Sequence, residues 1–460
     1  MIYKRKIYQK LLSWKHSGSR KPLILRGARQ VGKSTIVREF AKEYHSYIEL
    51  NLERQEDLRL FDLDSVKEII EAILVGANIS INDDSLLIFI DEIQESPRAI
   101  KLLRFFYEDF PNLHIICAGS LLELVLKNTT SFPVGRVQQM VLHPFDFEEF
   151  LLAMGKENIV KLFDEIPIKK HFHDIIGKLF KEYVIIGGMP EVVKTFVESG
   201  TYTELHEVYN EIWQAYKDDT EKYGRNNTEK KVLRHILETA AHEKDRITMA
   251  GFGNSNYRSR EVGEALRSLD KSRLIQLVYP TISTQLPQEV DFTRKPRLQF
   301  LDTGLLNNIL GIQSQLIGLS NLSDLYRGKI IQHAVFQQLQ AQNASIGSNL
   351  HFWVREKAKS SSEVDLIYQH KQFLIPVEVK SGSHGSLRSL HQFIDRTNHA
   401  FAIRLLSNTL SVEKVSTISG KPYTLLNLPL YLATRIPEYA EWGMFGEGKP
   451  ENVTPNVTPT

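Results

Sequence analysis

One eight-residue run constrains the fold of this chain more than any other feature of its sequence. The run begins at Gly27 and reads GARQVGKS, which fits the pattern G-x-x-x-x-G-K-[ST]. It follows the apolar run PLILRG and precedes the helical pattern TIVREFAKEY. Glycines allow successive backbone N–H groups to face one anion, and a helix N-terminus adds the positive end of its dipole. The run therefore predicts a phosphate-binding loop between a buried strand and a helix.

Short apolar runs alternate with helical patterns over residues 1–150. Strands are predicted over residues 22–27, 46–53, 86–92 and 113–120, and a predicted helix over residues 100–110 ends before Pro111. This alternation is typical of a parallel sheet whose strands are joined by crossover helices. We therefore predict an α/β domain with the doubly wound parallel sheet of P-loop NTPases.

The loop and the third predicted strand together supply the groups that a nucleoside triphosphate needs. We expect Lys33 to reach the β- and γ-phosphates and Ser34 to give Mg²⁺ an oxygen ligand. The strand LLIFIDE ends in two acids, of which Asp91 is expected to bind Mg²⁺ and Glu92 to activate the attacking water as a general base. Two solvated acids after a core strand are the alternative for this motif alone. The predicted cofactors are ATP and Mg²⁺, and the predicted nucleotide-binding residues are Gly27, Ala28, Arg29, Gln30, Val31, Gly32, Lys33, Ser34 and Thr35.

Two further residues are candidates for the same site. Ser120 ends the predicted strand LHIICAGS, where its hydroxyl could sense the γ-phosphate or orient water, or simply cap the strand. Arg136 follows Gly135 and could supply positive charge to the transition state, in cis or to a neighbouring subunit in trans. The alternative for Arg136 is an ordinary surface arginine. A role in trans would require a homo-oligomer.

Length and composition limit the remaining classes. A chain of 460 residues indicates about three domains at roughly 150 residues each. The single cysteine, Cys117, excludes an intramolecular disulfide framework and any multi-thiolate metal site, and it fits a reducing compartment. The sequence contains no apolar run of about 18 residues and no apolar signal core at its N-terminus. We therefore predict a cytoplasmic protein without a membrane partner.

The net charge of +2 is an average of unequal segments. Residues 1–50 hold 12 Lys and Arg against 3 Asp and Glu, whereas residues 51–100 hold 4 against 12. Such asymmetry can mark a surface for polyanions or reflect solvated helix faces that differ. Because Lys33, Asp91 and Glu92 contribute to the contrast, it is thin support for nucleic-acid binding.

Near the C-terminus, two acids and a lysine form a second candidate site. Asp365 lies on the predicted strand EVDLIYQ, and Glu378 and Lys380 lie two residues apart on the predicted strand FLIPVEVKSG. Alternation puts Glu378 and Lys380 on one strand face. Asp365 and Glu378 could bind Mg²⁺ while Lys380 supports a nucleophilic water. The pattern resembles the D…E-x-K core of PD-(D/E)xK nucleases, although so short a pattern is common.

Several motifs together resemble one family. They are RGARQVGKST, LLIFIDEIQ, CAGS, GRV…LHPFDFEEF, IIGGMPEVV, LQFLDTGLLNNILG and EVDLIYQ…IPVEVKSG, and they extend from about residue 20 to residue 382. The chain is similar to the prokaryotic AAA-type ATPases that carry a C-terminal nuclease-like module. That resemblance implies an ATP-binding core and a restriction-endonuclease-like α/β fold. Related proteins commonly have Glu in a G-x-x-x-E setting, where this chain has Gln332, which puts metal binding and cleavage in doubt.

The expected organisation has five parts. The ATPase domain covers residues 1–150, a helical lid or connector 151–225, a winged-helix-like module 226–298, a nuclease-like domain 299–442 and a disordered tail 443–460. In the third part, the polar and basic run NSNYRSR precedes the helix EVGEALRSLD, as in a turn and recognition helix that contact DNA. A winged helix that contacts only protein is the alternative.

Two hypotheses about function follow. In the first, an ATP-hydrolysing AAA-type protein is coupled to a nuclease-fold module that associates with DNA. In the second, a nucleotide-dependent switch or scaffold carries a catalytically inactive nuclease-like domain that serves binding. Gln332 favours the second hypothesis, and the intact pair of Glu378 and Lys380 favours the first.

Overall fold

The N-terminal sheet has five strands, all of them parallel. The computed structural model describes residues 3–80, 85–119, 133, 135–224, 226–243, 246–317, 328–342, 350–355, 362–382 and 387–446. The strands are β1 Leu23–Arg26, β2 Ser46–Asn51, β3 Leu86–Asp91, β4 His114–Ala118 and β5 Gln138–Val141, in the spatial order β2-β3-β4-β1-β5. The predicted parallel sheet is therefore confirmed.

Helices cover both faces of this sheet. They are α1 Ile7–Lys15, α2 Lys33–Phe40, α3 Gln55–Leu60, α4 Val66–Gly76 and α5 Pro97–Asp109. Alternate residues of β3 face opposite ways: Phe89 packs in the core that includes α1 and α2, whereas Ile88 packs in the core that includes α4 and α5. Burial on both faces explains why β3 is an unbroken apolar run that does not alternate.

The middle of the chain is mainly helical, as predicted. Its helices are α6 Phe147–Ala153, α7 Glu157–Leu162, α8 His173–Ile186, α9 Pro190–Ser199, α10 Leu205–Tyr223, α11 Asn227–Thr239 and α12 Ser259–Lys271. After α12, β6 Ile275–Val278 pairs antiparallel with β8 Arg297–Phe300. Two helices and a two-stranded sheet thus follow one another here, and the winged-helix-like module stays a prediction.

A mixed seven-stranded sheet forms the C-terminal part. Its strands are β7 Pro280–Thr281, β9 His351–Val354, β10 Glu363–His370, β11 Phe373–Val379, β12 Phe401–Leu406, β13 Ser411–Ser416 and β14 Pro422–Pro429, in the spatial order β13-β14-β12-β11-β10-β9-β7. The helices of this part are α13 Thr303–Ile309, α14 Gln313–Ile317, α15 Lys329–Ala341, α16 Arg388–Ile394 and α17 Ile436–Phe445.

Packing does not follow the predicted boundary between residues 298 and 299. Strand β7 precedes that boundary, yet it pairs with β9 of the C-terminal sheet. Asp302 follows the boundary, yet its carboxylate accepts a hydrogen bond from the backbone N–H of Gly188 in the helical middle. Helix α17 also continues to Phe445, three residues past the predicted end of the last domain at 442. No helix in the described part of the chain is long and apolar enough to cross a bilayer.

Asp302 forms a buried hub between the helical middle and the C-terminal part. The side chain is 0% exposed. One carboxylate oxygen accepts from Gly188 N at 2.6 Å and from Gln337 Nε2 at 2.8 Å, and the other accepts from Leu305 N at 2.9 Å as the cap of α13. Since buried polar groups need partners, these three donors and Asp302 depend on each other.

Candidate functional site

The predicted phosphate loop lies at the carboxyl end of β1 and at the start of α2. Gly32 precedes α2 with a φ of 94°, a left-handed conformation that glycine adopts without strain. At Gly27 a Cβ atom would lie 2.4 Å from the carbonyl oxygen of Leu142, so only glycine fits there. The backbone thus has the close turn that directs its N–H groups toward an anion.

Lys33 lies folded over this loop. Its Nζ donates to the carbonyl oxygens of Gly27 at 3.1 Å and Ala28 at 2.8 Å, and the residue is 7% exposed. Burial lowers the pKa of Lys33 to about 8, a change that the carboxylates of Glu92 and Asp91 oppose. A buried ammonium group whose partners in the described residues are carbonyl oxygens is a site that an anion such as a phosphate would stabilise.

The two predicted Mg²⁺ ligands lie in direct contact. Ser34 Oγ donates to Asp91 Oδ2 at 2.5 Å, although the two residues come from α2 and β3. Burial raises the pKa of Asp91, and the hydrogen bond from Ser34 opposes that rise. A hydroxyl and a carboxylate beside a phosphate loop are the hard oxygen ligands that Mg²⁺ prefers. The residues present therefore fit this cofactor.

Glu92 lies beside Asp91 and is held by a residue that the sequence analysis did not single out. Its backbone adopts a φ of 51°, and its Oε2 accepts a hydrogen bond from Gln94 Nε2 at 2.5 Å. Gln94 is itself buried next to Gly119, where a Cβ would lie 2.3 Å from the Gln94 Oε1. Gln94 thereby sets the direction of the Glu92 carboxylate.

A pocket of about 430 Å³ opens over the loop, within the range of roughly 300–1,000 Å³ that is usual for small-molecule sites. Its far wall comes from α9 and α10, so the predicted lid faces the phosphate loop. Arg29 of the loop forms an ion pair with Asp219 of α10, with Nη1 and Oδ1 2.7 Å apart. Tyr216 OH donates to the Arg29 carbonyl oxygen at 2.6 Å. The sequence contains no spacing signal for these contacts, which span 187 to 190 residues.

A second pocket, of about 240 Å³, adjoins the first across Gly32 and Thr35. The aromatic rings of Tyr3 and Phe145 border it and meet edge to face at 5.6 Å. Arg5 also lines this pocket, and its Nη1 donates to the Val31 carbonyl oxygen of the loop at 3.1 Å. Aromatic and cationic groups therefore lie next to the phosphate loop.

The structure describes only one of the two remaining candidates for this site. Ser120 lies outside the described residues. Arg136 precedes β5, whose Gln138 pairs in parallel with Leu23 at the start of β1. The phosphate loop follows the opposite end of β1, so the structure does not bring Arg136 to the loop of its own chain. Arg136 instead lies exposed, and its Nε donates to Glu108 at 2.8 Å.

The C-terminal candidates Asp365, Glu378 and Lys380 do lie together. Leu366 of β10 pairs with Val377 of β11, which brings the neighbouring Asp365 and Glu378 side by side. Lys380 Nζ forms an ion pair with Glu378 Oε1. Burial, with the charge of Asp365, raises the pKa of Glu378 to about 7, and Lys380 opposes this rise.

Protein donors engage both carboxylate oxygens of Asp365. Oδ1 accepts from Gln332 Nε2 at 2.7 Å and lies 3.4 Å from Arg297 Nη2, while Oδ2 accepts from Val379 N at 2.9 Å. In the described part of the chain, no group of three His, Cys, Asp or Glu residues could hold a metal ion. Because both of its oxygens accept hydrogen bonds from protein donors, the Asp365 carboxylate does not fit the predicted second metal. Sequence analysis missed Arg297 because it lies 68 residues from Asp365.

Comparison with known proteins supports the N-terminal assignment. A family model described as "AAA domain" matches residues 19–151, and models described as domains of unknown function, DUF8612 and DUF4143, match residues 177–316 and 327–420. With the five-stranded parallel sheet, the first match identifies an AAA-type ATPase domain of P-loop NTPase fold. No curated protein matches the chain.

Three solved structures resemble the chain at a distance. A Walker-type ATPase of Pyrococcus abyssi is 17% identical, with a TM-score of 0.43 over 67% of this chain and 96% of that one. The Orc1 protein of Aeropyrum pernix, solved in complex with DNA, is 11% identical, with a TM-score of 0.30 over 68% and 91%. A STAND signal-transduction ATPase with a tetratricopeptide repeat sensor, from Pyrococcus horikoshii, is 14% identical, with a TM-score of 0.27; the match covers 74% of this chain and 46% of that one.

Proposed function

We propose that this protein binds ATP with Mg²⁺ and hydrolyses it in the N-terminal domain, and that the nucleotide state controls a DNA-binding C-terminal half. The observation that carries the proposal is the convergence of Lys33, Ser34, Asp91 and Glu92 at one edge of the sheet. The contact between Ser34 and Asp91 at 2.5 Å joins the loop to β3 in that convergence. The predicted cytoplasmic location belongs to the same proposal and rests on the single, buried Cys117.

Each residue has a distinct task in the proposed reaction. The loop backbone and Lys33 bind the β- and γ-phosphates, which exchanges the carbonyl partners of Lys33 for anionic ones. Ser34 and Asp91 hold Mg²⁺, which when bound offsets charge on the phosphate oxygens. Glu92 accepts a proton from the attacking water, and Gln94 keeps its carboxylate directed. The pocket lined by Tyr3 and Phe145 takes the base.

Replacement of Glu92 by glutamine tests the catalytic assignment. We expect Glu92→Gln to lower the rate of ATP hydrolysis by about 100-fold or more while ATP still binds, because the amide cannot accept the proton. Turnover is measured by phosphate release and binding by fluorescence titration with an ATP analogue. Glu95→Gln, on the following turn, is the matched control and should hydrolyse ATP normally. Unchanged turnover in Glu92→Gln would remove Glu92 from the mechanism.

The DNA-binding part of the proposal rests on the exposed face of α12. Arg260 and Arg267 lie on that face, two helical turns apart, and Arg258 precedes the helix. The Arg260 side chain is 87% exposed and is paired only with Glu264 of its own helix, at 2.9 Å among the described contacts. Exposed guanidinium groups at the start of the second helix of a winged-helix-like module suit contact with phosphates and bases.

Loss of these arginines should weaken DNA binding evenly across sequences. We expect the double variant Arg260→Ala with Arg267→Ala to lower duplex affinity about 10-fold or more at moderate salt and to reduce the log–log salt slope by about 2. Fluorescence anisotropy over a salt series measures both quantities. Arg104→Ala is the matched control, since Arg104 also pairs with a glutamate four residues on, at 3.1 Å, but lies on the ATPase domain.

Nuclease activity is the second candidate, and the gathering of Asp365, Glu378 and Lys380 favours it. Incubation with plasmid and Mg²⁺ or Mn²⁺, with and without ATP, separates the two candidates. Tight DNA binding without cleavage supports the switch or scaffold that we propose. Cleavage that is lost in Asp365→Ala would instead establish the nuclease. The homo-oligomer stays a prediction, as does a role of Arg136 in trans.

A further inference from the structure

Hydrogen-bond donors of the protein already occupy the positions around the Asp365 carboxylate where a metal ion would lie. A metal ligand must direct an oxygen lone pair at the ion and needs further anionic or neutral oxygen ligands around it. Here Oδ2 accepts from the backbone N–H of Val379 at 2.9 Å, and Oδ1 accepts from Gln332 at 2.7 Å. The guanidinium group of Arg297 lies 3.4 Å from Oδ1 as well.

Gln332 acts here as a hydrogen-bond donor. An amide can present either its oxygen or its NH₂ group, but only the NH₂ group can face the ionised Asp365 at 2.7 Å without repulsion. A glutamate at this position would put two carboxylates in contact unless a cation lay between them. The glutamine therefore matches a site whose cation comes from elsewhere in the protein.

Arg297 is that cation, and several contacts hold it in place. Its Nη1 donates to the backbone oxygen of Asp365 at 3.2 Å, and its Nη2 forms an ion pair with Glu363. Its guanidinium carbon lies 4.5 Å from the centre of the Phe352 ring, and the side chain is only 13% exposed. A guanidinium group held by a ring, a carboxylate and a carbonyl has little freedom to leave.

With all its groups ionised, the cluster has no net charge without a divalent ion. Three carboxylates lie against three cationic groups: Glu363, Asp365 and Glu378 against Arg246, Arg297 and Lys380. A divalent ion added to this mostly buried cluster would leave two positive charges uncompensated. Such an excess is costly away from water, so the cluster would have to release an arginine or a lysine first.

We infer that Arg297, aided by Gln332, occupies the role of a metal ion at Asp365, so that this site is held together by protein charges and binds no divalent cation. The inference goes beyond the proposed function and is independent of ATP hydrolysis. It gives a physical reason for the proposed DNA-binding half of the chain to leave DNA uncut.

The test measures Mn²⁺ binding to the full chain in the absence of nucleotide, by electron paramagnetic resonance. Asp91→Asn removes the carboxylate at the phosphate loop, so any remaining Mn²⁺ must be bound elsewhere. We expect the Asp91→Asn chain to bind no Mn²⁺ up to about 1 mM, the range of weak protein sites. One Mn²⁺ that binds to this chain and is lost when Asp365→Asn is added would overturn the inference.

The second part of the test is a variant that we expect to gain Mn²⁺ binding. In the same Asp91→Asn chain, Arg297→Met with Gln332→Glu should create one Mn²⁺ site, at least 10-fold tighter than any binding by the parent, that Asp365→Asn abolishes. The matched control is Arg246→Met with Gln332→Glu. Arg246 contacts Glu363 at 3.5 Å but has no contact with Asp365 in the described structure. We therefore expect this control variant to bind no Mn²⁺. If the Arg297 variant folds and binds none, Arg297 is not what excludes the metal.

Thermal unfolding covers the case in which the Arg297 variant does not fold. We expect 10 mM Mg²⁺ to change the thermal midpoint of Asp91→Asn by the same amount with and without Asp365→Asn, because a cation that does not bind cannot stabilise the fold. A stabilisation by Mg²⁺ of more than 2 °C that depends on Asp365 would contradict the inference. Neither measurement involves ATP, so a failure of the ATPase proposal cannot imitate either result.

Discussion

Replacement of Lys33 by alanine should lower ATP hydrolysis by at least about 100-fold and weaken ATP binding, since one positioned cation that meets developing charge is commonly worth that much. Lys33 is buried at the base of the open pocket, where its Nζ has only the carbonyl oxygens of Gly27 and Ala28 as partners in the described structure. Phosphate release and titration with a fluorescent ATP analogue measure the two losses.

Unfolding should not account for that result. Burial lowers the pKa of Lys33 to about 8 because it disfavours the charged form, so we expect removal of this charge to cost little stability. The thermal midpoint of Lys33→Ala should therefore stay near that of the parent. Lys42→Ala, at an exposed lysine just past α2, is the matched control and should retain full activity. Normal ATP binding by Lys33→Ala would refute the phosphate-loop assignment.

Loss of the Asp302 carboxylate should produce the largest change in stability. Asp302→Ala leaves Gly188 N, Leu305 N and Gln337 Nε2 buried without an acceptor. Three unpaired buried donors, at the lower end of roughly 1–3 kcal/mol each, give an expected loss of about 3–5 kcal/mol in the free energy of unfolding. For units of about 150–250 residues this corresponds to a fall of about 6–20 °C in the thermal midpoint.

Two further variants test whether the loss of stability comes from the buried contacts of Asp302 or from the loss of any acidic residue. Asp109→Ala, at an exposed position that ends α5, should change the free energy of unfolding by less than about 0.5 kcal/mol. Asp302→Asn retains one acceptor oxygen but turns an NH₂ group toward a donor, so its midpoint should fall between the parent and Asp302→Ala. An Asp302→Ala midpoint within 2 °C of the parent would show that water or rearrangement replaces the acceptor.

Local patterns predicted that the phosphate loop and the acids at the end of β3 would meet, because these motifs are short and directional. A glycine-rich loop after one strand and two acids after another must meet where parallel strands end at the same edge, and Ser34 does contact Asp91. The same reasoning could not identify Gln94, Arg29 or Arg5 as neighbours of the site. Their contacts depend on side-chain direction and on the placement of the helical middle of the chain, which no local spacing encodes.

For Arg136, proximity in sequence was misleading. A residue just before β5 lies at the amino end of the parallel sheet, and the phosphate loop lies at the carboxyl end. The parallel register of β5 with β1 places Arg136 at the end of the sheet away from the phosphate loop. Strand pairing also disagrees with the predicted domain boundary at 298/299, since β7 lies before the boundary and pairs with β9 after it.

By itself, the sequence determined the parallel ATPase sheet, the phosphate loop with its partner acids, and the pairing of Asp365 with Glu378 across two strands. Each of these follows from periodicity or from a short motif, because backbone geometry carries local spacing into space. Only the tertiary structure decided what surrounds Asp365. Gln332, Arg297 and Val379 come from a helix and two strands, and they meet at one carboxylate because these elements pack together. The groups that balance a buried charge are those that the fold brings near it, and no local pattern in the sequence specifies them.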